Sequence, residues 1–137
     1  MITEDYVSFE TAKLLKERGF ECEKDSITAM YNEIGKFHPL STAAGEYDYY
    51  GYNDFDEYDY VAPTLQMAMK WLREVHKLQV SPRYDEVEDE KERLHYVWFF
   101  DILSMSPYKM LSESEHGYNT YEEACEVAIK YCLENLI

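Results

Sequence analysis

Apolar positions recur along this chain with two periods, near 3.6 and near 2, and the switches between them mark out its elements. A first helix is predicted over about 8–18. Ser8 suits its N-cap, Glu10 the positive N-terminal end, and Ala12, Leu14 and Leu15 its apolar positions. Gly19 fits a left-handed C′ position, with Phe20 placed to fold back on Leu15 as in a Schellman stop. A hairpin follows in TAMY-NEIG-KFHPL (28–40): Asn32 starts the turn, Gly35 takes positive φ, and Met30 and Phe37 are candidates for the buried face. The second helix begins near Pro63 or Thr64 and reaches about Lys77. Its stripe is Leu65, Ala68, Met69, Leu72 and Val75, widened by Met67 and Trp71, with Lys70, Arg73 and Lys77 on the exposed face.

Three strands are predicted next, at about 78–84, 94–103 and 107–112. In LHYVWFFDIL, Leu94, Tyr96, Trp98, Phe100 and Ile102 share one face, while Val97 and Phe99 make the other apolar too. That pattern predicts a central strand covered on both sides. The acidic stretch 85–93 before it reads either as a solvated connection or as a short helical turn. In the last helix Thr120 and Glu123 form a capping box, and Tyr121, Ala124, Cys125, Ala128, Cys132 and Leu136 follow at helical spacing. Glu126 and Lys130 make an i,i+4 pair on its other face. The order α-β-β-α-β-β-β-α predicts an α+β fold with about three helices on a mostly antiparallel sheet. At 137 residues and 16.3 kDa a single domain over 1–137 is expected, with a Tyr/Asp-rich connection at about 41–61.

Charge narrows the partners. Against 28 acidic residues stand 13 basic ones, a net charge of −15. Such a surface repels phosphate backbones and anionic lipid, so neither direct nucleic-acid binding nor membrane binding is expected, and a basic protein is the natural partner. Simple solubility is the plainer reading of the same charge. Cys22, Cys125 and Cys132 are odd in number and form no CxxC pair. Cys125 and Cys132, seven apart on a helix, are separated by about 10.5 Å of rise and cannot bridge. They read as buried thiols in a reducing cytoplasm. MITEDYVSFE has no secretory pattern, and no apolar run approaches membrane-spanning length.

No catalytic constellation is present, so an enzyme is not expected. His38, His76, His95 and His116 are scattered without zinc-ligand spacing, and there is no GxSxG elbow. The five glycines are too dispersed to cradle a phosphate. No cofactor and no specific metal site are implied. An EF-hand starting at Asp54 fails, because its sixth and twelfth positions are Asp59 and Leu65. Weak, non-specific divalent binding by Asp54, Asp56, Glu57 and Asp59 is all that survives.

The most individual segment is EYDYYGYNDFDEYDY (46–60), with six tyrosines, six acids and no base. Its broken alternation favours a packed, irregular connection. As a recognition surface, Tyr49, Tyr50, Tyr52, Asp54, Asp56 and Tyr58 offer aromatic area at low entropic cost beside charges that steer a cationic protein. The alternative is an acidic nucleic-acid mimic that occupies a DNA-binding protein. The net-positive second helix (61–80 carries +2) counts against the continuous anionic track a mimic needs.

VSFETAKLLKERGF (7–20), APTLQMAMKWLREVH (62–76) and YNTYEEACEVAIKYCLENLI (118–137) resemble a group of small uncharacterised proteins of gut Bacteroidales and their phages and prophages. The segments are the three helices. The non-enzymatic interaction or regulatory role expected of this chain rests on the absence of catalytic chemistry, with a host factor as one basic partner the tract would suit; the resemblance itself implies a phage or mobile-element origin. It supplies no active-site residue and does not extend to the tyrosine tract.

Overall fold

Side-chain caps start the first and last helices of this protein, and pairing fixes the strands. The computed structural model describes residues 2–40 and 54–137. The fold is α+β: among the described residues there are three helices and two three-stranded antiparallel sheets. The predicted element order holds, with one short strand and a turn of 3-10 helix (Lys24–Ser26) added. The chain divides into two compact units, Met1–Gln66 and Met67–Ile137, each with its own sheet.

In the first unit α1 spans Phe9–Glu17, and the Ser8 hydroxyl accepts the Thr11 N–H at 3.2 Å. It ends as predicted. Gly19 adopts φ +83°, Phe20 N–H donates to the Leu15 carbonyl and Gly19 N–H to that of Lys16, the paired bonds of a Schellman stop. Strands β1 (Ala29–Tyr31) and β2 (Phe37–Pro39) form the predicted hairpin, and β3 (Tyr60–Val61) pairs on the other side of β1, giving the order β2-β1-β3. Asn32 shapes the turn, its Oδ1 accepting the N–H groups of Ile34 and Lys36.

Register corrects one expectation here. Met30 and Phe37 do not share a face, because Met30 pairs with His38 and Tyr31 with Phe37. Met30 and His38 are the buried pair, whereas Phe37 is 37% exposed. Tyr31, Phe37 and Tyr60 form a cross-strand row, and Phe9 of α1 lies against Tyr31 (5.5 Å) and Tyr60 (5.6 Å). Tyr6 packs on Phe37 at 5.2 Å. The aromatic row, rather than a purely aliphatic contact, joins α1 to this sheet.

The second unit begins within α2 (Leu65–Val75), whose Ala68, Met69, Trp71 and Leu72 are buried. Strands β4 (Leu78–Glu88), β5 (Leu94–Met105) and β6 (Tyr108–Glu113) follow, with β5 central as predicted. Helix α3 (Tyr121–Asn135) starts at Thr120, which accepts the Glu123 N–H at 3.1 Å, and packs on β4 and β5. It buries Ala124, Cys125, Ala128, Ile129, Cys132 and Leu133. Beneath it lie Leu78, Val80, Phe100 and Ile102, all on one face of the sheet. On the other face Val97 and Phe99 are only half-buried, so burial of β5 is one-sided. Lys130 of α3 reaches Glu134 at 3.8 Å.

The acidic stretch is neither a loose connection nor a helical turn. Residues 85–88 continue β4 and pair with 94–97, leaving only 89–93 as the hairpin tip. Asp and Glu are poor strand formers in isolation, but the ladder to β5 satisfies their backbone groups and overrides propensity.

Two consequences are measurable. A Cβ on Gly35, at φ +91°, would stand 2.9 Å from the Phe9 ring, whereas one on Gly19 would meet nothing within 4 Å. Gly35→Ala is therefore expected to cost about 1–3 kcal/mol in urea unfolding, more than Gly19→Ala, which carries backbone strain alone. Burial raises the thiols of Cys125 and Cys132 to about 11 and about 12, and Cys22 is half-buried. Native-state alkylation followed by mass spectrometry should modify Cys22 first, with the other two reacting only on unfolding.

Candidate recognition surface

Of the six residues singled out in the tyrosine tract, Tyr49, Tyr50 and Tyr52 lie outside the described residues. Asp54 and Asp56 are exposed, and Tyr58 is 62% exposed. Asp56 and Tyr58 are brought together by a turn: Asp56 Oδ1 accepts the Tyr58 N–H, and Asp59 Oδ2 accepts the Asp56 N–H, each at 2.8 Å. Lys16 of α1 ties this turn down, donating to the carbonyls of Glu57 and Asp59 while its ammonium sits 4.8 Å from the Tyr60 ring centre. Asp56 and Asp59 thus each give one carboxylate oxygen to a backbone N–H of the turn. Among the described residues no three His, Cys, Asp or Glu side chains form a metal-holding group, and no helix is long and apolar enough to cross a membrane.

A second exposed aromatic surface lies on the β4–β5 ribbon and was not singled out from the sequence. Even-numbered residues of both strands share the face that α3 covers at one end. Along this face burial falls away from Ile102 and Phe100 through half-buried Trp98 to Tyr84 and Tyr96, which are 56% and 57% exposed. The rings form a continuous run. Tyr121, at the start of α3, meets Trp98 edge-on at 5.1 Å; Trp98 meets Tyr84 at 5.0 Å; Tyr84 stacks on Tyr96 at 5.8 Å. The buried end holds the exposed end in place, so the tyrosines are presented at little conformational cost.

The opposite edge of β5 braces this run. Trp98 and Tyr118 exchange backbone hydrogen bonds at 2.8 and 2.7 Å. Gly117 makes that possible, since a Cβ there would stand 2.4 Å from Val97 Cγ2. Tyr118 stacks on Phe100 at 6.2 Å, and burial with Glu123 and Glu115 nearby raises its hydroxyl above the ordinary tyrosine value.

Charges differ between the two faces of the ribbon. On the odd-numbered face they close among themselves: Arg83 reaches Asp85 (3.2 Å) and Asp101 (3.4 Å) and lies over Phe99 at 4.7 Å. At the tip Asp89 takes Arg93 Nε at 3.0 Å and His95 Nε2 at 2.9 Å. On the aromatic face Glu86 and Glu88 stand opposite Tyr96 and Leu94, and no cation of the described residues reaches either. The face therefore combines open rings with unneutralised negative charge.

Comparison of the chain with protein-family models, with curated proteins and with solved structures finds no match in any of the three.

The Asp89 carboxylate organises the tip through four bonds, its Oδ1 also accepting the N–H groups of Lys91 and Arg93. The His95 bond first, then the Arg93 amide, lower its pKa from 3.8 to about 2. A lowered carboxyl contributes stability above its unfolded value that is lost as pH falls through the folded one. In an NMR titration the Lys91 and Arg93 amide shifts should move with a midpoint near 2, and a midpoint at 3.8 would contradict the network.

Proposed function

We propose that this is a non-enzymatic interaction protein of the cytoplasm that recognises a cationic surface on a protein partner. The observation that carries the reading is the ribbon face: Tyr84 and Tyr96 stacked in the open beside Glu86 and Glu88, whose charges find no cation within the unit. Tyrosine rings accept arginine and lysine side chains by cation–π contact, and the carboxylates steer and pair them. The opposite face, with its charges already closed, lacks that capacity.

Asp56 and Tyr58 add an exposed carboxylate and ring in the first unit, in a turn that Lys16 holds through the carbonyls of Glu57 and Asp59. The helical segments that resemble Bacteroidales phage proteins fit a host protein as the partner. Arg83, Lys91 and Arg93 interrupt the acidic run of the ribbon, which favours a protein partner over the continuous phosphate-like track of a nucleic-acid mimic.

Affinity purification with wild type and with Tyr84→Ala/Tyr96→Ala tests this. Wild type should retain a basic protein at low salt and release it at about 0.5 M, where charge steering is screened. The double variant should bind it at least 10-fold more weakly, about 1.4 kcal/mol or more. Equal recovery by the two proteins would refute the reading, and displacement of duplex DNA from the captured protein would establish the mimic instead.

A further inference from the structure

The backbone of the same ribbon defines how a partner would be held. In an antiparallel ladder, alternate residues bond to the neighbouring strand and the rest point away from it. The phase is fixed at both ends of β4: Met105 N–H donates to the Lys77 carbonyl, and Asp89 N–H to that of Arg93. Odd-numbered residues of β4 therefore bond to β5, and even-numbered ones face outward. The far side of β5 agrees, since its Trp98 and Phe100 bond to the chain at Tyr118 and Ser114.

Strand β4 is one edge of its sheet, and residues 83–88 are all exposed. Its outward groups there belong to Tyr84, Glu86 and Glu88, the same residues whose side chains form the aromatic, acidic face. No other described strand bonds to them. Among the described residues only the Glu86 N–H is engaged, by the side chain of its own neighbour Asp85 at 2.8 Å, an exposed contact that a better acceptor can replace. Pro82 confirms the phase, for its missing N–H falls on the outer edge, where it breaks no ladder bond.

We propose that the outer edge of β4 at 84–88 accepts an extended, cationic segment of the partner as a fourth strand, with arginine or lysine at alternate positions facing Glu86 and Glu88. This rests on the cationic-partner reading above and adds its binding mode. A second copy of the chain is disfavoured, because pairing β4 with itself would set glutamates against glutamates, the charge device by which edge strands avoid self-association. The same carboxylates favour an added strand of opposite charge. Main-chain bonds would supply affinity, and the alternate side chains selectivity.

The probe is a short synthetic peptide alternating arginine with valine, tested beside a version N-methylated at alternate amides that keeps its side chains. The unmethylated peptide should bind and slow hydrogen exchange at the amides of Tyr84, Glu86 and Glu88 at least 10-fold. Methylation of the amides facing β4 should weaken binding at least 10-fold, and Glu86→Lys/Glu88→Lys should do likewise. Equal binding of both peptides without protection of those amides would overturn strand addition while leaving cationic recognition intact. Binding of neither peptide would overturn strand addition as well, and the purification experiment would then judge the broader reading separately.

Discussion

The register of β4 against β5 is the constraint on which the second unit depends. Side-chain direction and hydrogen-bond direction both alternate with a period of two residues, so one number sets both. With Tyr84 opposite Trp98, the apolar residues Val80, Phe100 and Ile102 lie under α3, and the aromatic run continues from them into the open. A slip of β4 by one residue against β5 would turn Leu78 and Val80 away from α3 and bring Gln79 and Ser81 to the face it covers. One local device guards against that slip, the Asp89 network at the tip, where Glu92 takes φ +58°, while the close passage of Gly117 beside Val97 fixes the other side of β5.

The first unit achieves the same end with less backbone. Its strands are two or three residues long, too short to hold register through ladder bonds alone. Rings do the rest. Phe9 bridges Tyr31 and Tyr60, and Tyr31 donates its hydroxyl hydrogen to the Val7 carbonyl at 2.7 Å, joining strand to helix approach. Lys16 then fastens the end of the tyrosine tract to α1.

What was legible in the sequence was local. The Ser8 and Thr120 caps, the Gly19 stop and the Asn32–Gly35 turn are each set within a few residues, and each forms as read. The facing of Met30 and Phe37 was not legible, because alternation inside a three-residue strand is too short to choose a face. The C-terminal end of β4 was missed for another reason. Asp85, Glu86 and Glu88 are poor strand formers alone, and only the partner segment 94–97 makes them a strand. The recognition face was missed with them, since attention to tyrosine density led to 46–60. A signal was nonetheless present: Leu78, Val80 and Tyr84 keep one parity, and beyond the tip Tyr96 and Trp98 keep the parity that pairs with it.

Pro82 has a further consequence. It lies on the outward phase of β4, just where the buried part of the strand gives way to the exposed part, and the next outward carbonyl, that of Val80, is already taken by the Gln79 side chain at 2.9 Å. The open edge is thereby cut to a short window. Fibril-forming segments are about six or seven residues of low net charge without proline, and the stretch from Pro82 to the tip carries Asp85, Glu86 and Glu88, so this edge is a poor template for cross-β growth.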